Sequence, residues 1–209
     1  MSKKRQLHRQ EEVRNKILDA GREIIKNEGI EGLSIRKIAK EIDYSPGIIY
    51  HYFNDKNAII EYLVGEGYRK ILASISAIER NENEPEKEIK EAFTNYIKTA
   101  LSFPEEYKVF MLNDDPAVLQ KTSLLGQGVS NRRQSLQQLT DNLLRGISKG
   151  RYAAYDPELT AQIIWTATYG LILKIIFEKD LAEEQINRLI DQHFNILFNG
   201  IMLRKDKRG

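Results

Sequence analysis

Cysteine is absent, which excludes disulfides, thiol catalysis, thiol redox sensing and Cys-based zinc sites. Histidine occurs three times, at His8, His51 and His193, too scattered for a His-x-x-x-His metal pair. No metal and no cofactor are expected. Only 5 prolines and 13 glycines interrupt 209 residues, and no stretch alternates apolar and polar residues long enough to argue for a sheet. No apolar run approaches the ~20 residues of a membrane span, and Met1-Ser2-Lys3-Lys4-Arg5 is not followed by the apolar stretch of a secretory signal. A soluble cytoplasmic protein without a membrane partner is expected. No nucleophile stands beside a base, and Gly126-Gln127-Gly128 lacks the strand and spacing of a nucleotide fingerprint. No catalytic residue is assigned and an enzyme is not expected.

What is present is helical period almost throughout, read as an all-α chain of about nine helices. The first is expected over 11–28, ended by Gly29; short ones follow near 35–42 and 46–52. A fourth runs from Asp55 to about Arg80 and a fifth over 86–102, with shorter pieces near 105–112 and 117–124. A longer helix ends near Lys149-Gly150, an apolar one spans 157–178, and the last covers 183–203 before a basic tail.

Charge is uneven. The 32 Lys plus Arg nearly balance 30 Asp plus Glu, yet residues 1–60 hold 12 cations against 9 acids. A polyanionic partner for that end is indicated. Lys3, Lys4, Arg5 and Arg9 are read as a solvated tail outside the site.

The second and third helices are too short to stand alone, because isolated helices under ~12 residues are marginal in water. Packing through Ile38, Ala39, Ile42, Ile49 and Phe53 must hold them, and the turn Asp43-Tyr44-Ser45 makes the pair a helix-turn-helix. Ser34, Ser45 and Asp55 are expected N-caps and Pro46 a first helical residue. That puts Arg36, Lys37 and Lys56 in first turns, where a cation opposes the helix dipole by roughly 0.3–1 kcal/mol. Repetition of this anomaly around one motif favours a phosphate partner, to which free N–H groups and cations both point.

Gly32-Leu33-Ser34-Ile35-Arg36-Lys37-Ile38-Ala39, followed by Tyr44-Ser45-Pro46-Gly47-Ile48-Ile49-Tyr50-His51-Tyr52-Phe53-Asn54-Asp55-Lys56, resembles the N-terminal region of tetracycline-repressor (TetR) type regulators. The resemblance covers about 45 residues; beyond them only length and helix count agree. It implies a helix-turn-helix DNA-binding domain over 1–55 and a helical ligand-binding and dimerisation domain over 56–209. It also implies a cytoplasmic homodimer, usually a repressor, that releases a palindromic double-stranded operator when a small-molecule effector binds. Carried over, it assigns Ser34 and Arg36 to operator contact and Pro46, Gly47 and Ile48 to the major-groove end of the recognition helix. Tyr50, His51 and Tyr52 would reach phosphates or base edges, and Lys56 would clamp a phosphate. Two residues depart from the family pattern. Asp43 stands where glycine is usual, at some strain; Ile48 stands where a small or hydroxyl residue is common, able to pack on a thymine methyl but not to donate.

The 157–178 and 183–203 helices are apolar on more than one face, so each needs two partners. A second copy around a twofold axis would supply one, with Ile163, Gly170, Leu171, Leu189, His193, Phe194 and Leu197 at the interface. Phe93, Tyr96, Phe103, Tyr107, Phe110, Met111, Trp165 and Tyr169 are read as either core or the lining of a cavity for a moderately hydrophobic effector. Gly65 and Gly67 in the fourth helix are read as close packing or as a bend that couples pocket to DNA. An all-helical adaptor for a protein partner is the alternative to a regulator, and salt-dependent duplex affinity separates the two.

Overall fold

The first helix begins earlier than its apolar stripe. In the computed structural model, which describes residues 3–76, 78–112, 119 and 122–203, α1 runs Lys3–Glu28. The stripe starts only at Val13, but Lys, Arg, Gln and Leu are good helix formers, and His8 meets Glu12 one turn on at 3.2 Å. Arg5 and Arg9 therefore sit on an exposed helix, not on a loose tail.

Among the described residues eight more α-helices follow: α2 (Ile35–Glu41), α3 (Pro46–Tyr50), α4 (Lys56–Ser76), α5 (Pro85–Leu101), α6 (Pro104–Met111), α7 (Gln134–Ser148), α8 (Pro157–Phe177) and α9 (Glu183–Ile201). A 3₁₀ turn covers Ile30–Gly32, and an isolated β-bridge joins Tyr152 to Met202. The piece expected over 117–124 lies largely outside the described residues, as does the basic tail after Leu203.

The chain forms two compact units, 1–69 with 103–119, and 70–102 with 120–209. The first is larger than a 1–55 domain, because Ile59, Ile60, Leu63 and Val64 of α4 complete the core started by Ile17, Ile25, Ile38 and Ile49. Each such fully buried aliphatic side chain contributes roughly 1.5–3 kcal/mol. Val109 and Met111 of α6 pack against the same core. Arg22 of α1 pairs with Glu66 of α4 at 2.5 Å, and Arg14 lies 4.4 Å from the Tyr62 ring centroid.

In the second unit α7 packs on α8 and α5, and α9 on α5 and α8. Phe93, Tyr96, Trp165 and Phe194 form its aromatic centre; Phe93 meets Trp165 edge-on at 5.1 Å. By length and composition α8 would pass for a membrane-crossing helix, with a mean hydropathy of 1.4 over its most apolar stretch. The sequence places an apolar helix over 157–178 there but no run expected to reach membrane-span length. One side of α8 is buried within the unit through Ala161, Ile164, Trp165, Thr168 and Ile172. The Gly126–Gly128 loop is fastened to the same helix: Glu158 accepts from the Gly128 N–H at 2.9 Å and from the Ser130 N–H at 2.8 Å. Those donors, Ser130 foremost, hold the Glu158 carboxyl below its ordinary pKa.

His193 of α9 is half-buried and shares a hydrogen bond of 3.0 Å with the Thr168 hydroxyl. Burial lowers its pKa from the ordinary 6.5. The unfolded chain therefore takes up this proton first as the pH falls, and the protein loses stability below 6.5 by that linkage. Thermal melts above and below that value should differ less in His193→Gln than in the parent.

Candidate functional site

The helix-turn-helix is built by local chemistry. Ser34, extended at φ −149°, accepts from the Lys37 N–H at 3.2 Å and starts α2. The turn closes with the Tyr44 N–H on the Ala39 carbonyl at 2.9 Å. Asp43 takes the left-handed conformation expected of it, φ 57°. Ser45 occupies the N-cap position of α3 and Pro46 its first turn, but the Ser45 hydroxyl makes no capping bond. Asp55 accepts from the Ala58 N–H at 2.8 Å and opens α4.

Ile38, Ala39, Ile49 and Phe53 are turned into the core. That leaves Arg36, Lys37, Ser45, Pro46, Gly47, Tyr50, His51 and Lys56 exposed, with Ser34, Ile48 and Tyr52 half-buried. Tyr50 is 56% exposed, whereas Tyr52 packs partly against the core, so two neighbouring tyrosines divide between solvent and scaffold. Lys37 is already engaged, its ammonium on Glu28. Ile48, His51 and Tyr52 also line a cleft with Leu7, Gln10 and Arg14 of α1.

First-turn charge separates these helices from most of the others. α5, α6, α8 and α9 each carry an acidic residue in the first turn; α2, α3 and α4 carry none. The first turns of α2, α3 and α4 thus hold no carboxylate that would repel an anion, although the exposed Asp55 carboxylate caps α4.

The expected effector residues divide between the two units. Phe103, Tyr107 and Met111 belong to the first unit, where Tyr107 is fully buried; the side chain of Phe110 lies outside the described residues. Phe93, Tyr96 and Trp165 belong to the second, and Tyr169 of α8 is half-buried there. The rings of Tyr96 and Trp165 pack on each other, tilted, with centroids 4.9 Å apart. The second unit holds a cavity of about 230 Å³ between the end of α4, α5 and α7, and Phe93 alone of the expected residues reaches it. Its polar wall of Glu88, Asn142 and Arg145 was missed. Asn142 interrupts the apolar stripe of Leu136, Leu139, Leu143 and Gly146 on α7, and that interruption was the available signal.

Of the expected interface residues, Phe194 is corrected: it is 1% exposed within its own chain, on Phe93 and Phe198. Ile163 is 63% exposed, Gly170 is exposed, and Leu171, Leu189, His193 and Leu197 are half-buried. In α4, a methyl added at Gly67 would touch the Phe103 ring at 3.4 Å, while at Gly65 it would meet only the Arg69 guanidinium at 3.5 Å. Close packing accounts for the first glycine.

Residues 17–63 match the family model of bacterial regulatory proteins, tetR family. The chain is 36% identical over 61 residues to the HTH-type transcriptional regulator UidR of Escherichia coli (strain K12), which is 29% of this chain and 31% of that one. It is 37% identical over 70 residues to the HTH-type transcriptional regulator BetI of Yersinia pestis (strain Pestoides F), 30% and 35% of the two chains. The match therefore spans about a third of the length of these curated relatives. Over nearly the whole chain the likeness is one of fold. A bacterial regulatory protein in the tetR family from Rhodococcus RHA1 superposes with a TM-score of 0.71 at 17% identity, covering 92% of this chain and 98% of that one.

Proposed function

We propose that this chain, whose residues 17–63 match the model of bacterial regulatory proteins of the tetR family, binds a palindromic DNA operator as a homodimer in the cytoplasm. In this reading it represses transcription and lets go when a small effector enters the cavity of the second unit. The observation that carries the reading is the exposed face of Arg36, Ser45, Gly47, Tyr50, His51 and Lys56 on a motif held up by Ile38, Ala39, Ile49 and Phe53. A recognition helix presents its first residues to base edges while the preceding helix crosses the backbone. Gly47 and Ile48 are then the base-reading positions, Arg36 and Lys56 the phosphate contacts. Lys37, held by Glu28, contributes less.

Arg36→Ala and Lys56→Ala should each weaken binding to all duplexes alike and reduce the salt slope by about one. Fluorescence anisotropy against salt concentration measures both. A lost sequence preference with an unchanged slope would mean the two residues read bases and not phosphates. Effector addition should weaken operator affinity by roughly 5- to 150-fold.

Dimerisation is proposed along α8 and α9. Leu159, Ile163, Thr166 and Gly170 recur at three-to-four spacing on the exposed side of α8, and the row continues through Lys174 to Phe177; Ile196 and Gly200 are so spaced on α9. Nothing within 4 Å would meet a methyl at Gly170 or Gly200, so both helices leave room for another backbone. Ile163→Glu puts a charge on that stripe and should convert the dimer to a monomer in sedimentation, with operator affinity falling in step.

A further inference from the structure

The cavity of the second unit has two chemically different ends. Ile75, Ile89 and Phe93 make one apolar; Asn142 and Arg145 of α7, with Glu88 of α5, make the other polar. Both α7 residues are deeply placed: Asn142 is 2% exposed and the Arg145 side chain 9%. Each leaves one buried polar atom unused. The Asn142 amide nitrogen donates to the Pro85 carbonyl at 3.0 Å, and a terminal Arg145 nitrogen donates to Glu88. The Asn142 Oδ1 acceptor and the Arg145 Nε donor are buried without a partner, a condition folded proteins rarely tolerate without a ligand, ion or water.

Residues three apart on a helix lie on one face, one turn from each other. A single head group that offers an acceptor to Arg145 and a donor to Asn142 meets both. Charge then selects among such heads. The Arg145 cation is already matched by Glu88, whose carboxylate also accepts from the Asn81 N–H at 2.8 Å. Arg80, also on the wall, is paired with Glu82, and Asp141 lines the same cavity. A carboxylate ligand would bring in an unmatched negative charge and no proton for Asn142. A neutral amide brings a carbonyl and an N–H side by side. At about 30 Å³ per water-sized volume, 230 Å³ holds a molecule of about eight non-hydrogen atoms.

We propose that this cavity binds a small neutral carboxamide, its C=O on Arg145 Nε, its N–H on Asn142 Oδ1 and its apolar body against Ile75, Ile89 and Phe93. This rests on the reading of the second unit as the effector-binding part, and it replaces a merely hydrophobic effector by one with a defined head.

The test is calorimetric titration of the full chain, without DNA, with benzamide, benzoate and ethylbenzene. Benzamide should bind about tenfold or more tighter than benzoate, and Asn142→Leu should remove that advantage while leaving ethylbenzene binding as it was. If the Leu variant does not melt cooperatively, Ala92→Leu, which fills the apolar end, should abolish benzamide binding instead. Benzoate binding as tightly as benzamide, benzamide binding unchanged by these substitutions, or no heat from any of the three at millimolar concentration would overturn the assignment. Because no DNA is present, such a failure condemns the cavity chemistry alone. A benzamide complex with the duplex affinity of the free protein would contradict the effector reading and leave the cavity assignment standing.

Discussion

Gly47→Glu is expected to abolish duplex binding while leaving the fold intact. Gly47 is exposed in the first turn of α3, at a negative φ, and a methyl there would find only the Ser45 hydroxyl, at 3.7 Å. A carboxylate so near a helix N-terminus is favourable to the helix by roughly 0.3–1 kcal/mol, so stability should hold or rise slightly. Against DNA the same charge lands where base edges and flanking phosphates must approach. A loss of at least about 100-fold, near 2.8 kcal/mol at 1.4 per factor of ten, should appear in anisotropy, with an unchanged thermal midpoint. Retained affinity would remove the first turn of α3 from the interface.

Gly146→Ala should have the largest effect on stability. An added methyl would sit 2.1 Å from Cδ2 and 2.2 Å from Cε2 of Tyr152. That ring is 2% exposed and its neighbours are tied down. The Gly146 carbonyl accepts from the Arg151 N–H at 2.9 Å, and the Ala153 N–H reaches the Ile201 carbonyl at 2.7 Å. Arg151 is paired with Glu86. Neither side can yield cheaply, and overpacking of this kind costs about 3 kcal/mol, a fall in melting temperature of roughly 6–12 °C for a chain of this size. In a Tyr152→Ala background the same methyl should cost little, because the space is then vacant. A double-mutant cycle reads that coupling directly.

The helix-turn-helix was legible in the sequence because its determinants are local. Ser34 and Asp55 cap helices through bonds three residues away, Gly29 at φ 74° stops α1, and Asp43 fits a turn that needs a positive φ. Each is decided within a few positions of the chain. The start of α1 was not legible, since periodicity marks where a helix becomes amphipathic, not where it begins. The interior of the second unit was least legible. Spacing leaves aromatic residues such as Tyr96 and Trp165 open to either core or pocket, and rings pack well on one another, as the 5.1 Å Phe93–Trp165 contact does. A cavity is decided by what three helices fail to fill, and no single stretch records that. Asn142 within the stripe of α7 was its nearest trace. Phe194 was misread for the same reason: a stripe says that a face is buried, not by which copy of the chain.

The central claim, that the α2–α3 motif and the start of α4 grip the DNA backbone, is tested most directly by photocrosslinking the protein to duplex DNA at low salt and mapping the attached peptides. Attachment is expected within residues 34–56. Attachment confined to residues 120–203, with Ser45 to Lys56 unmodified, would contradict it.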